Sequence, residues 1–181
     1  MTRAARFEAF VREYQDMVFG TAVRLLGNLA DAEDVAQTVF LRAYERFDRV
    51  VTSTAAAGWL KTTTTNLCLN HVSRYRARLR QFGESGRRDA DETAVGSGTT
   101  PRSCSNPGAD LEAADRRAQL ERALRQLPDH QRVPLVLFHF DEMSYEAIAH
   151  RLGISVSKLK TDIHRGRLAL RDALAVFHVM D

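Results

Sequence analysis

SYEAIAHRLGISVSKLKTDIHRGRLALRDA, residues 144–173, reads as two helices around a tight turn, the second of them basic. Ser144 is suited to cap the first helix by accepting a hydrogen bond from an otherwise unpaired backbone N–H, and Ile148, Ala149 and Leu152 give that helix one apolar face. Gly153 can take the positive φ that stops it. Ile154 falls in the turn, where an apolar side chain packs between both helices, and Ser155 is placed to cap the second. Leu159, Ile163 and Leu170, flanked by Val156 and Ala173, form a buried stripe. Ser157, Lys158, Lys160, Thr161, His164, Arg165 and Arg167 are left for the opposite face.

A capped, positively polarised helix N-terminus followed by basic side chains suits phosphates and base edges, and the spacing is that of a helix-turn-helix. An antiparallel helix pair with a solvated charge run has the same local pattern. The rest of the chain has to decide between them.

The chain has 181 residues, 44% of them hydrophobic, which is enough to bury the core of one domain or of two small ones. Its net charge of +3 is modest, but Arg74, Arg76, Arg78, Arg80, Arg87 and Arg88 cluster, opposed locally only by Glu84. Clustering matters more to a polyanion than the total does. Cys68 and Cys104 stand in unlike contexts with no CxxC spacing, as expected of a reduced cytoplasmic chain. No apolar run approaches the ~20 residues that span a bilayer, and MTRAARFEAF lacks a signal-peptide core, so neither export nor membrane insertion is expected.

Phe7, Phe10, Val11, Tyr14, Met17, Val18 and Leu25 recur at helical spacing until Gly27-Asn28. Asp31 is a candidate cap for the next helix, with Glu33 and Asp34 in its first turn; Val35, Ala36, Val39, Phe40, Ala43 and Phe47 form its buried stripe. DRVVTSTAAAG, residues 48–58, loses periodicity and is expected to be a loop. A third helix is expected from Gly58-Trp59 into SRYRARLR, although Thr62, Thr63, Thr64 and Thr65 each cost a few tenths of a kcal/mol against alanine. Trp59 is expected in the core, the usual place for a lone helical tryptophan. From Gln81 to Ala109 large apolar residues are nearly absent, which predicts a linker. Periodicity returns at Leu111 and continues through Leu120, Ala123, Leu124 and Leu127. Pro128 is expected to open a further helix and Pro134 to kink or split it. No strand-like alternation appears, so the expected fold is all-α: two small helical domains, residues 1–80 and 110–181, joined by a flexible linker at 81–109.

In this order the pieces resemble the extracytoplasmic-function sigma factors, which keep only the second and fourth conserved regions of the sigma-70 superfamily. RLLGNLADAEDVAQTVFLRAYERFDR (24–49) is similar to the core-polymerase-binding part of region 2, WLKTTTTNLCLNHVSR (59–74) to its promoter-opening helix, and residues 127–174 to region 4. The resemblance implies a bacterial, non-enzymatic subunit without a cofactor, whose partners are core RNA polymerase, promoter DNA and, as a candidate, an anti-sigma factor. It implies core-polymerase contacts at Asp31, Asp34, Gln37, Leu41 and Arg42. The loop 51–57 and Asn66, Asn70 and Arg74 would meet the opened minus-ten element. Ser155, Ser157, Lys158, Lys160, Thr161, His164, Arg165 and Arg167 would meet duplex minus-thirty-five DNA. His164 is read as a polar contact, with no second ligand at metal spacing. By the same resemblance the linker would thread the polymerase channel, with Glu84, Asp89, Asp91 and Glu92 mimicking nucleic-acid charge.

The chain departs from the family pattern at Asp162, which stands at a usually basic position, so that it either turns from the phosphates or reads a cytosine amino group. Thr63 and Thr64 replace a usual apolar pair, and Thr38 a usual acid. Two rival readings are a stand-alone, dimeric helix-turn-helix regulator and a helical adaptor that binds only protein. The first leaves the acidic helix and TNLCLNHVSR without a role. The second predicts no salt-dependent affinity for nucleic acid.

Overall fold

The structure, a computed structural model, describes residues 2–51, 55–81 and 107–179. The described residues form helices α1 (Arg3–Leu26), α2 (Leu29–Glu45), α3 (Phe47–Val51), α4 (Ala56–Gln81), α5 (Pro107–Gln126), α6 (Asp129–His139), α7 (Tyr145–Leu152) and α8 (Val156–Val179). There is no strand among them, as the missing alternation predicts. No described helix is long and apolar enough to cross a membrane.

α1 ends where the sequence breaks. Gly27 has φ 70°, a conformation that costs a residue without Cβ nothing, and its N–H closes onto the Val23 carbonyl at 2.8 Å. Asn28, rather than the expected Asp31, caps α2: its Oδ1 accepts from the N–H of Ala30 at 2.8 Å and of Asp31 at 3.2 Å. The first free donors of α2 lie directly after Gly27, so the cap has to be the next residue. Asp31 falls in the first turn, where the helix dipole favours an acid.

α1, α2 and α4 pack together around Val18, Leu25, Val39, Leu60 and Cys68. Part of the expected loop after Phe47 is the short helix α3, while residues 52–54 lie outside the described residues. Phe47 anchors α3: its buried ring meets Phe7 edge-on at 5.3 Å and Phe10 at 6.0 Å. α4 begins at Ala56, two residues before the expected start. Its threonines are tolerable because a hydroxyl can bond its own helix. Buried Thr64 donates to the Leu60 carbonyl at 2.8 Å, leaving its methyl to pack like an apolar residue. Trp59, expected in the core, is half-buried at its edge, so that expectation holds in part.

α5 to α8 pack around Leu124, Val133, Leu137, Ile148, Leu159 and Ile163. α5 starts at Pro107, inside the stretch read as linker, with proline at the first helical position, where its missing N–H has no partner to lose. The remainder of that stretch, with Arg87, Arg88, Cys104 and the acids Glu84, Asp89, Asp91 and Glu92, lies outside the described residues. Pro128 is the residue before α6 and not its first. α6 runs through Pro134 without splitting: the proline removes one backbone bond, and its ring is buried in the core.

Candidate functional site

Three surfaces carry the residues singled out in the sequence. The first is a groove of about 780 Å³ between α1 and α2. Phe7, Val11, Phe19, Ala36, Phe40 and Tyr44 make its apolar walls, and Gln15, Asp16, Glu33 and Gln37 its polar edge. Leu41 projects at its side with 66% of its surface exposed, the most exposed large apolar side chain among the described residues. Of the residues expected to touch polymerase, the structure brings Gln37 and Leu41 into this groove. Asp34 and Arg42 are exposed on the same helix without lining it. Asp31 faces the other way, its Oδ1 3.6 Å from Nε2 of His71 on α4.

The sequence reading missed the α1 wall and Phe40, Tyr44 and Glu33. A second stripe, 33, 37, 40, 41 and 44, is present at helical spacing in α2 and was the available signal. Periodicity marks Phe7, Val11 and Phe40 as apolar without saying whether a neighbouring helix covers them.

The second surface is on α4. Asn66, Asn70 and Arg74 are all exposed, and their spacing of four stacks them along one side of the helix. Cys68, Leu69 and Val72 hold that helix to the core. Burial pushes the Cys68 thiol up to about 12, with the nearby Asp141 carboxylate adding to the rise. It is therefore a packed thiol, not a reactive one.

The third surface is the helix-turn-helix. Ser144 Oγ accepts from the Ala147 N–H at 3.2 Å, Gly153 takes φ 64°, and Ser155 Oγ accepts from the Lys158 N–H at 3.2 Å, so all three local expectations hold. Leu159 and Ile163 seat α8 on the core. Ser155, Ser157, Lys158, Lys160, Thr161, His164, Arg165 and Arg167 are all exposed or part-exposed. Asp162 is buried, and its carboxylate lies 3.1 Å from Nζ of Lys158. It has turned from the solvent face, so of the two readings offered for it the cytosine contact falls away, and it pairs instead with Lys158.

Arg167 is not a free arm. Its Nε donates to Nε2 of His139 at 3.3 Å, and its guanidinium lies 5.4 Å from the centre of the Phe138 ring. His139 is held below its ordinary pKa of 6.5, first by partial burial and then by the Arg167 charge, so the neutral ring that accepts this bond is favoured. The result is a basic, exposed helix N-terminus supported by α5, α6 and α7, of a kind able to enter a groove of duplex nucleic acid.

Comparison with known proteins follows the same division. Residues 10–78 match the family described as Sigma-70 region 2, and residues 117–170 the family described as Sigma-70, region 4. The ECF RNA polymerase sigma factor SigE of Mycolicibacterium smegmatis is 36% identical over 169 residues, which cover 93% of this chain and 62% of that protein. The ECF RNA polymerase sigma factor SigW of Bacillus subtilis is 32% identical over 172 residues, covering 93% of this chain and 88% of that one. The chain thus spans less than two thirds of the first relative and nearly all of the second. A solved structure, the sigma factor RpoE in complex with the anti-sigma factor NepR from Bartonella quintana, aligns with 94% of this chain and 98% of its own, at a TM-score of 0.48 and 22% identity.

Proposed function

Because this chain belongs to the extracytoplasmic-function RNA polymerase sigma factors, we propose that it binds bacterial core polymerase, directs it to a two-part promoter and assists opening of the minus-ten element. It acts as a specificity subunit without catalysis of its own, in the cytoplasm, where polymerase and DNA meet.

The division of labour follows the three surfaces. The α1–α2 groove, with Leu41 and Gln37, docks on the polymerase: an apolar wall with a polar rim is what a specific protein interface requires. Asp34 and Arg42 extend the same face, and Asp31 serves it indirectly through its pairing with His71. Asn66 and Asn70 offer amides to unpaired base edges of the opened strand, while Arg74 attracts its backbone. Lys160, Arg165 and Arg167 hold the phosphates of duplex minus-thirty-five DNA, and Ser155, Ser157, Lys158, Thr161 and His164 approach the bases. Residues 1–80 and 110–181 form the two functional domains, with 81–109 between them. An anti-sigma factor that covers these exposed helical faces is a further expected partner.

The observation that carries this reading is the coexistence of an uncovered apolar groove and an uncovered basic helix-turn-helix in one chain. Pull-down with purified core polymerase and anisotropy with minus-thirty-five duplexes test the two separately. A chain that dimerises on palindromic duplexes and ignores polymerase would point to the stand-alone regulator instead.

A further inference from the structure

α8 approaches α6 closely at Gly166. A Cβ there would stand 3.3 Å from the Gln131 carbonyl oxygen and 3.6 Å from Leu135 Cδ1, so a residue without one lets the two helices meet. Arg167 follows directly, and its side chain reaches the end of α6, where two rings form a corner. Phe138 and His139 stand edge to face, with 4.9 Å between centres and 87° between planes. The Phe138 ring underlies the guanidinium at 5.4 Å. The His139 ring closes one edge of it, with Nε2 3.3 Å from Arg167 Nε and 3.2 Å from Nη2. The Nη1 edge has no such partner among the described residues.

Other basic side chains of α8 are held by acids: Lys158 by Asp162 at 3.1 Å, and Arg171 by Asp172 at 2.9 Å. A carboxylate partner orients a cation but opposes its attraction for a phosphate. A neutral imidazole orients it and leaves the charge whole. Because Nε2 accepts, the ring proton is on Nδ1. A protonated ring would have no lone pair to offer and would face a like charge. The elements packed on α6 bring further charges to this end, and each has a partner elsewhere. Arg24 of α1 pairs with Glu121 and lies over Phe140, Asp141 pairs with Lys61 of α4, and Lys160 lies over Tyr145 of α7. Arg167 is the charge that bears on the ring.

We propose that His139 is a positioning residue for DNA binding: it holds the Arg167 guanidinium in the orientation that meets a backbone phosphate, without opposing its charge. The role rests on the DNA-binding reading of the helix-turn-helix given above. An unheld arginine samples many rotamers, and a complex has to immobilise one of them, which weakens binding by about two- to tenfold per side chain. Arg167 arrives already ordered. Lys160 stands seven residues earlier, about two turns along the same face, over the Tyr145 ring that stacks on Phe138. Corner and stack together set two cations at a fixed separation.

The test is a double-mutant cycle on the full chain, read by fluorescence anisotropy with a short mixed-sequence duplex at low salt and pH 8. Phosphates are present on any sequence, so a mixed duplex reports the contact. His139→Gln sets an amide oxygen where Nε2 stands and should keep native affinity. His139→Asn sets it nearer the backbone, where Nδ1 stands, and should lose about two- to tenfold while keeping native helix content. In an Arg167→Ala background, both variants and the native residue should bind alike, whereas a merely structural role would persist there. Nitrogen NMR gives a second readout. Native His139 should carry its proton on Nδ1 at pH 8, and its pKa should rise toward 6.5 in Arg167→Ala.

Native affinity in His139→Asn, a loss in His139→Gln as large as in His139→Asn, the same losses without Arg167, or a ring protonated at Nε2 would each overturn the positioning role. Duplex affinity indifferent to Arg167→Ala would instead overturn the phosphate contact assigned above to Arg167, and the role of His139 with it.

Discussion

Phe138 and Tyr145 stack with 4.8 Å between ring centres and 8° between planes, and each end of the pair carries a cation. Arg167 lies over Phe138 at 5.4 Å and Lys160 over Tyr145 at 5.9 Å, so rings from α6 and α7 orient two basic side chains of α8. Tyr145→Leu keeps apolar bulk and loses the ring face. It should weaken binding to a minus-thirty-five duplex about two- to fivefold, the worth of an exposed cation–π contact, and Tyr145→Phe should not. Fluorescence anisotropy at fixed salt reads both.

The buried Asp162 holds Lys158 at 3.1 Å. Asp162→Asn keeps the shape, removes the charge and releases the lysine. Duplex affinity should rise by an amount that depends on the bases Lys158 meets, and the slope of log affinity against log salt should steepen as the charge is released. A salt titration of the two proteins checks this.

Groove and reading helix should fail independently. Leu41→Asp alters an exposed side chain, so unfolding stability should stay within about 0.5 kcal/mol. Core-polymerase affinity should fall by about tenfold or more if Leu41 anchors the interface. Asp34→Arg should weaken the same binding and leave duplex binding unchanged. Lys160→Ala/Arg165→Ala should do the reverse, lowering duplex affinity while polymerase pull-down is unaffected.

Acid should loosen the helix-turn-helix support through His139. Its native pKa is below 6.5, so as pH falls the unfolded chain takes up this proton first. The stability it contributes is present above pH 6.5 and is lost as pH falls through the depressed native value. The melting temperature should therefore drop between pH 7 and 5 by less in His139→Gln than in the native chain.

Cys68 behaves oppositely with pH. With its native pKa raised to about 12 from 9.0, its contribution is whole below pH 9.0 and is lost between there and about 12. In a Cys104→Ser background at pH 8, iodoacetamide should label Cys68 at least about a hundredfold more slowly in the folded than in the unfolded chain. Rapid labelling of the native protein would contradict its place in the core.

What the sequence discloses is local. Ser144, Gly153 and Ser155 act within three or four residues of themselves, so cap, stop and cap are legible in the residue order alone. The reading stripe of α8 and the Asn66–Asn70–Arg74 stripe of α4 follow from helical spacing. Asp31 competes with Asn28 as a cap in the sequence because capping strength is similar for Asn and Asp, and only the end of α1 at Gly27 selects Asn28. The groove is half legible: α2 gives Gln37 and Leu41, but the α1 wall has the pattern of ordinary core. Arg132 with Leu26 and Asp141 with Thr65 join residues 106 and 76 positions apart, and no local pattern announces such pairs.

Promoter-dependent transcription with purified bacterial core polymerase, with and without this protein, on a library of genomic fragments tests the central claim most directly. New start sites should appear only with the protein, share one motif near minus ten and one near minus thirty-five, and vanish with Lys160→Ala/Arg165→Ala. No new start site and no binding to core, with dimeric duplex binding retained, would contradict the account.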